Sequence, residues 1–331
     1  MGTRIWFLLG CLAVWGGLGL VAATPARAGS IVAWGNDSYG QVSNAPMGSD
    51  FVAVDGDSIY GLAMRSDGSL AAWGGNAWGQ VSDAPTGTGF TAIAAHHGTS
   101  YALRSDGSIA VWGADDYGQV SNAPTGTGFT AIAAGPSLGY ALRSDGSIVA
   151  WGDDTYGLVS GAPAETGFTA IAGGGYAGLA LRSDGSIAAW GLDWQGQVSN
   201  APTGTGFTAI AAGYLTVYAL GSDGSIIAWG ADDSGQVSNA PTGVGFTAIA
   251  AGPFNGYALR PDGSIAAWGA DDSGQVSNAP TGVGFTAIAA DGSTVYALWS
   301  DPPAAVPEPS ALISAGLAAA ILGGLAWRRR R

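Results

Sequence analysis

Along residues 29–301 the apolar positions fall in short alternating runs rather than long stripes. One stretch, Phe90 to Gly128, reads FTAIAA HHGTS YALRSD GSIAVWG ADDYGQVSNAPTGTG. FTAIAA, YALRS and SIAVW each alternate with a period of two, which predicts β-strands. A helical reading fails because Gly or Pro interrupts every run longer than about ten residues. YALRS and SIAVW flank Asp106-Gly107, a pair that predicts a two-residue hairpin turn, since Gly accepts positive φ. QVSNAP predicts either a short fourth strand or an extended return before Pro124 ends pairing. The small alanines of TAIAA suit an inner strand, where blades crowd about a propeller axis.

The pattern repeats without drift. Trp stands at 34, 73, 112, 151, 190, 229 and 268, Phe at 51, 90, 129, 168, 207, 246 and 285, each in steps of 39. A fixed period near 40 with strand content predicts a β-propeller rather than a helical solenoid. The first copy, Gly29 to Gly35 (GSIVAWG), lacks its preceding strand, and the matching half, YALWSD, lies at Tyr296 to Asp301. The span 29–301 is 273 residues, seven units of 39. The expected fold is therefore all-β: a seven-bladed β-propeller closed by pairing N-terminal strand Ser30 to Trp34 with C-terminal strand Tyr296 to Ser300. Closure removes an edge that would otherwise stay open.

The two ends read differently. Residues 1–28 carry Arg4, an apolar run from Ile5 and a closing Ala26-Arg27-Ala28, the pattern of a signal peptide cleaved after Ala28; an uncleaved membrane anchor is the alternative. Cys11 is the single cysteine, so the mature fold holds without disulfides. Residues 302–310 form a linker containing Pro307, Glu308 and Pro309. Residues 311–327 have no charge and predict a short transmembrane helix, and 328–331 are four arginines expected to stay in the cytoplasm. Six Leu or Ile in that span supply only about −3 kcal/mol of insertion drive. This tail resembles the PEP-CTERM sorting signal of exported bacterial proteins. The resemblance implies processing by an exosortase-type enzyme, at least transient membrane anchorage, and delivery to the cell envelope or an extracellular matrix rich in exopolysaccharide. A plain C-terminal anchor is the other reading.

The repeats resemble the regulator-of-chromosome-condensation family in its short bacterial form. The matching residues are YALRSDGSIAVWG, the following Tyr117-Gly118-Gln119, and FTAIAAG from Phe129 to Gly135. The resemblance spans 29–301 and implies a seven-bladed propeller that binds protein. It also leaves open a secreted inhibitor of an extracellular enzyme.

In an antiparallel meander, the turn after TAIAA and the WGxDD loop emerge on one face, and the Asp-Gly turns on the other. The Asp-Gly face barely changes from unit to unit. The other varies most, through DSIYG (57–61), HHGTS (96–100), GPSLG (135–139), GGYAG (174–178), GYLTV (213–217), GPFNG (252–256) and DGSTV (291–295). Near-identical blades that differ on one face suggest a binding surface. Five residues after each Trp stand Tyr39, Trp78, Tyr117 and Tyr156, then Gln195 beside Trp194, then Ser234 and Ser273. With Tyr176, Tyr214, Phe254, His96 and His97 from the variable runs, these aromatics form the candidate binding face. Exposed rings combine apolar area with a polar edge; packing against a neighbouring loop is the competing reading.

Charge narrows the partners. Residues 29–301 hold five arginines against 23 acidic residues, a net of −18, and the chain has no Lys. Such a domain repels nucleic acid and anionic lipid. The acidic pairs Asp115-Asp116, Asp153-Asp154, Asp232-Asp233 and Asp271-Asp272 lack the ligand spacing of a calcium loop and read as solvated rim charges, with weak calcium binding as the alternative. Adjacent loop carboxylates need not converge on one glycosidic bond, so a polysaccharide-degrading enzyme is the weaker alternative. His96-His97 has no Cys partner and reads as a contact rather than a metal site. No catalytic triad or phosphate loop appears, and no metal or cofactor is implied. The reading is an exported, non-enzymatic binding or scaffold propeller whose partner is a protein or an extracellular polysaccharide.

Overall fold

The computed structural model describes residues 28–300, which form 21 strands and no helix. The strands group into seven three-stranded antiparallel sheets. Six follow chain order, as in Phe90–His96, Thr99–Arg104 and Ile109–Gly113. They are numbered here as blades 1 to 6, from the sheet that begins at Phe51 to the one that ends at Gly269. Blade 7 combines Phe285–Asp291 and Thr294–Trp299 with Ser30–Gly35 from the other end of the chain.

Each blade has three strands, and QVSNAP is neither a fourth strand nor an extended return. Asn122 N–H donates to Gly118 O at 3.1 Å and Ala123 N–H to Val120 O at 3.2 Å, so the segment curls on itself. The Asp115 carboxylate accepts from the N–H groups of Val120 and Ser121 at 2.8 and 2.9 Å, which withdraws them from any ladder. The Asp-Gly turn also differs from the two-residue loop expected. Arg104 N–H bonds Ser108 O, Gly107 N–H bonds Arg104 O, and Gly107 has φ +78°, leaving a three-residue loop. This is a type I turn closed by a left-handed glycine, the other common hairpin solution.

The inner strands begin with a recurrent bulge, at Phe90/Ala92 in blade 2. The bulged Thr91 returns its hydroxyl to Leu103 O at 3.2 Å, which explains Thr after Phe in most copies. At their far ends the inner strands surround a cavity of about 30 Å³, to which every blade contributes and whose lining includes Ala95, Ala134, Gly173, Ala212, Ala251 and Ala290, with Asp55, His96, Tyr214 and Asp291. The small residues leave room for seven strands to converge there.

The cores lie between blades. Ala53, Tyr60, Leu62 and Met64 of blade 1 pack against Phe90, Ile93, Ala102 and Trp112 of blade 2. Each Trp is also tied to the preceding unit: Trp112 Nε1–H donates to Gln80 O at 2.9 Å, Trp151 to Gln119 O and Trp268 to Gln236 O. Buried Tyr rings meet the next blade's Trp edge-on, as Tyr101 meets Trp151 at 5.8 Å. Edge-to-face pairs of this kind add about 0.5–1.5 kcal/mol beyond the burial itself.

The same contacts close the ring. Ser30 pairs with Trp299, and the register runs through Trp34 with Val295 to Gly35 with Thr294. Trp34 Nε1–H donates to Gln275 O, 241 residues away, at 2.9 Å. Residues 1–27, which hold nearly all of the expected signal peptide, and 301–331, with the expected linker, transmembrane helix and arginine cluster, lie outside the described residues. No helix among the described residues is long and apolar enough to cross a membrane.

Candidate binding face

The two faces of the ring differ in charge. On the Asp-Gly face the turns clasp the lead-in to the next inner strand, as Phe90 N–H bonds Gly68 O at 3.1 Å. Every arginine among the described residues stands on this face, its guanidinium over the Phe ring of its own blade: Arg65 at 4.4 Å, Arg182 at 5.0 Å, Arg104 at 5.1 Å, Arg260 at 5.3 Å and Arg143 at 5.5 Å. Arg65 also bonds Asp50 at 2.7 Å, and Arg182 bonds Glu165. The opposite face carries the variable turns. The WGxDD loops lie beside them, as Ala114 N–H donates to Gly98 O at 3.0 Å.

Much of the acidity on this second face is structural. Asp115, Asp154, Asp193, Asp232 and Asp271 each accept two backbone N–H groups from the curled segment that follows. These bonds favour the ionised form and hold all five below the usual carboxylate range. Within three of the acidic pairs, therefore, one Asp braces the loop and its neighbour (Asp116, Asp233 or Asp272) faces solvent; in the fourth, Asp153 is half-buried and accepts from the Thr155 N–H and hydroxyl. Among the described residues no group of three or more His, Cys, Asp or Glu is placed to hold a metal ion.

The candidate aromatics separate into an arc and outliers. Trp194 meets Tyr156 at 6.1 Å, Tyr156 meets Tyr176 at 5.2 Å, and Tyr176 meets Tyr214 at 5.7 Å, all edge-to-face. Tyr214 then stacks on Phe254 at 6.1 Å with 19° between the planes. Five rings thus run unbroken across blades 3 to 6, and Trp194 is 75% exposed. Trp78 lies apart over Gly98, where a Cβ would strike its ring. Tyr39 and Tyr117 are exposed and join neither group. Tyr156 packs against the next turn and is still partly exposed.

A groove of about 450 Å³ opens between Trp78 and Phe254, also lined by Tyr214, Asp57, His96, His97, Asp272 and Asp291. The histidines part company here: His97, with φ +45°, is exposed in a two-residue turn, whereas His96 is mostly buried. His96 Nδ1 faces Asp291 Oδ2 at 3.4 Å, and neither atom has a hydrogen-bond partner. Asp57 is fully engaged, accepting from Ile59 and Tyr60 N–H through Oδ1 and from Gly98 N–H of the next blade through Oδ2. Asp55, closer to the axis, accepts from Gly56 and Ala95 N–H. Burial raises the Asp55 carboxyl well above its usual range, with repulsion from Asp291 and Asp57 adding to it. Burial and repulsion from Asp291 push Asp57 up to about 6, and burial pushes Asp291 up to about 8. Burial holds His96 down to about 4 despite the Asp57 charge. Burial thus disfavours the charged form of both groups where His96 faces Asp291.

The sequence pointed to His96 but not to the carboxyl groups gathered beside it. Their signal was a break in the repeat: the first inner strand reads FVAVDG where the others read FTAIAA or FTAIAG, and Asp57 and Asp291 stand where four units have Gly.

Residues 305–331 match the PEP-CTERM protein-sorting motif. The chain is exported and membrane-associated, a substrate for exosortase sorting. The described blades resemble yeast RCC1 (Prp20), solved with Kap60 bound, at a TM-score of 0.69 and 17% identity over 91% of this chain and 96% of that one. The Physcomitrella patens receptor kinase CR4 ectodomain matches at 0.59 and 23% identity, over 78% and 73% of the two chains. Human WBSCR16 matches at 0.65 and 14%, over 83% and 99%. This is the RCC1-like propeller fold. At these identities the likeness establishes the fold alone. No curated protein matches the sequence.

Proposed function

We propose that the chain is an exported, non-enzymatic binding propeller, held at the cell envelope or in an extracellular matrix, that presents its variable face to a protein partner. The observation that carries this reading is the arc of five touching rings from Trp194 to Phe254, left partly exposed on a face without arginine. Rings fixed by their neighbours lose little conformational freedom on binding, and aromatic anchors dominate interface energetics. The sorting motif supports the location, and yeast RCC1, a neighbour of this fold solved with Kap60 bound, supports a protein partner.

The test replaces Tyr156, Trp194 and Phe254 with Ser, the residue that two later blades carry five positions after Trp. Capture of an envelope or matrix protein should fall at least tenfold while the melting temperature stays within a few degrees. Unchanged capture by a folded variant overturns the proposal, and so does selective retention of a polysaccharide with no protein.

A further inference from the structure

The groove beside the axis has a composition of its own. Three aromatic side chains (Trp78, Tyr214 and Phe254) and three carboxyl groups (Asp57, Asp272 and Asp291) line it, with no Lys or Arg. Resting on the protein-binding reading above, we infer that this groove receives a lysine or arginine side chain of the partner.

The chemistry favours that occupant over others. An anion would meet three carboxyl groups and no fixed cation, only neutral donors such as Ser58, Ser273 and Gln275, and burial opposes the charge of His96. A bare metal ion lacks a converging donor set. A long basic side chain fits both halves of the lining: its methylene stem lies along the rings and its charged head reaches the carboxylates. The cavity of about 450 Å³ has room for it, and the arc of rings runs into the groove at Tyr214 and Phe254. The floor also holds unmet acceptor capacity, since Asp291 Oδ2 is buried without a hydrogen-bond partner. A guanidinium or ammonium donor supplies what that oxygen lacks and strengthens in a dry site.

Proton linkage sharpens the test. The groups facing Asp291 are Asp55 and Asp57 of blade 1, His96 of blade 2, Tyr214 of blade 5 and Tyr296 of its own blade. With its carboxyl pushed up to about 8, Asp291 gives up a proton when a cation arrives. Affinity for a basic ligand should therefore climb between pH 6 and 9, while the ligand's own charge stays constant.

A random peptide display library selected on the full chain provides the test. Enriched peptides should share one Lys or Arg beside an apolar residue. Norleucine at that position should weaken a selected peptide about tenfold, as should Asp272→Asn combined with Asp291→Asn. Asp272 is exposed and Asn is isosteric with Asp, so the double variant should keep its fold, which its melting temperature verifies. Enriched peptides with no basic residue, or equal affinity for wild type and double variant, overturn the inference. If such peptides still lose binding on Phe254→Ser, the protein-binding reading survives alone. If no peptide is enriched and deacetylated glucosamine oligomers bind instead, both readings fall.

Discussion

The two faces of the ring are built from the same seven repeats and have opposite characters. On the Asp-Gly face five arginines stack on phenylalanines of their own blades, and the turns differ little. Its charges are absorbed by internal contacts. On the variable face arginine is absent among the described residues, aromatic rings touch one another across blades, and carboxyl groups gather around a groove. Repetition thus marks what every blade needs in order to pack, and departure from it marks what the whole ring presents. Asp55 is the sharpest case: a carboxyl at a position where the other six units have Ala, although burying it is costly.

The comparison between faces requires a closed ring, so the largest effect should come from opening it. Deleting residues 29–35 removes the outer strand of blade 7 and takes Trp34 from its core cluster. Loss of that Trp alone should cost about 3–5 kcal/mol, with an exposed strand edge added. Thermal unfolding should show a large fall for this deletion and little change on deleting 302–331. Equal melting temperatures would refute closure as the source of stability.

A smaller effect separates the faces by pH. A raised carboxyl pKa means that the folded protein keeps a proton the unfolded chain has released, so stability declines as pH rises toward the folded value. His96 acts oppositely below its ordinary value of 6.5, because there the unfolded chain holds the extra proton. Above that point the raised carboxyls of Asp55 and Asp291 both lower stability as pH climbs, Asp291 alone by a loss on the order of 1–2 kcal/mol between pH 6.5 and 8. Asp291→Asn should remove that share of the slope in denaturant melts. An unchanged slope would mean that the variable face stores no such protons.

The least effect belongs to the uniform face. Arg104→Gly removes one cation–π contact, and blade 5 already carries Gly221 at that position. The expected cost is about 0.5–1 kcal/mol, with no change in partner capture. A loss of capture would show that the Asp-Gly face also binds.

Much of the architecture was legible because the repeat spells it out seven times. Trp at steps of 39, alternating strands and the half-unit at each end predicted the blades and the pairing of Ser30–Gly35 with the far terminus. Local chemistry misled at two points. Asp-Gly signalled a two-residue turn, yet the chain took a three-residue loop around Gly107. QVSNAP looked extended, yet Asp115 captured its backbone donors and curled it.

By itself, then, the sequence determined the period, the strands, the ring closure and the export tail, because these depend on residue type at regular spacing. Only the tertiary structure decided which residues from different blades meet. Tyr156, Tyr176 and Tyr214 lie 20 and 38 residues apart in the chain and touch in space, as do His96 and Asp291 across the closure. The reason is geometric: a ring brings the first, second and seventh blades side by side, and the low dielectric of their shared axis alters the charge of whatever they place there.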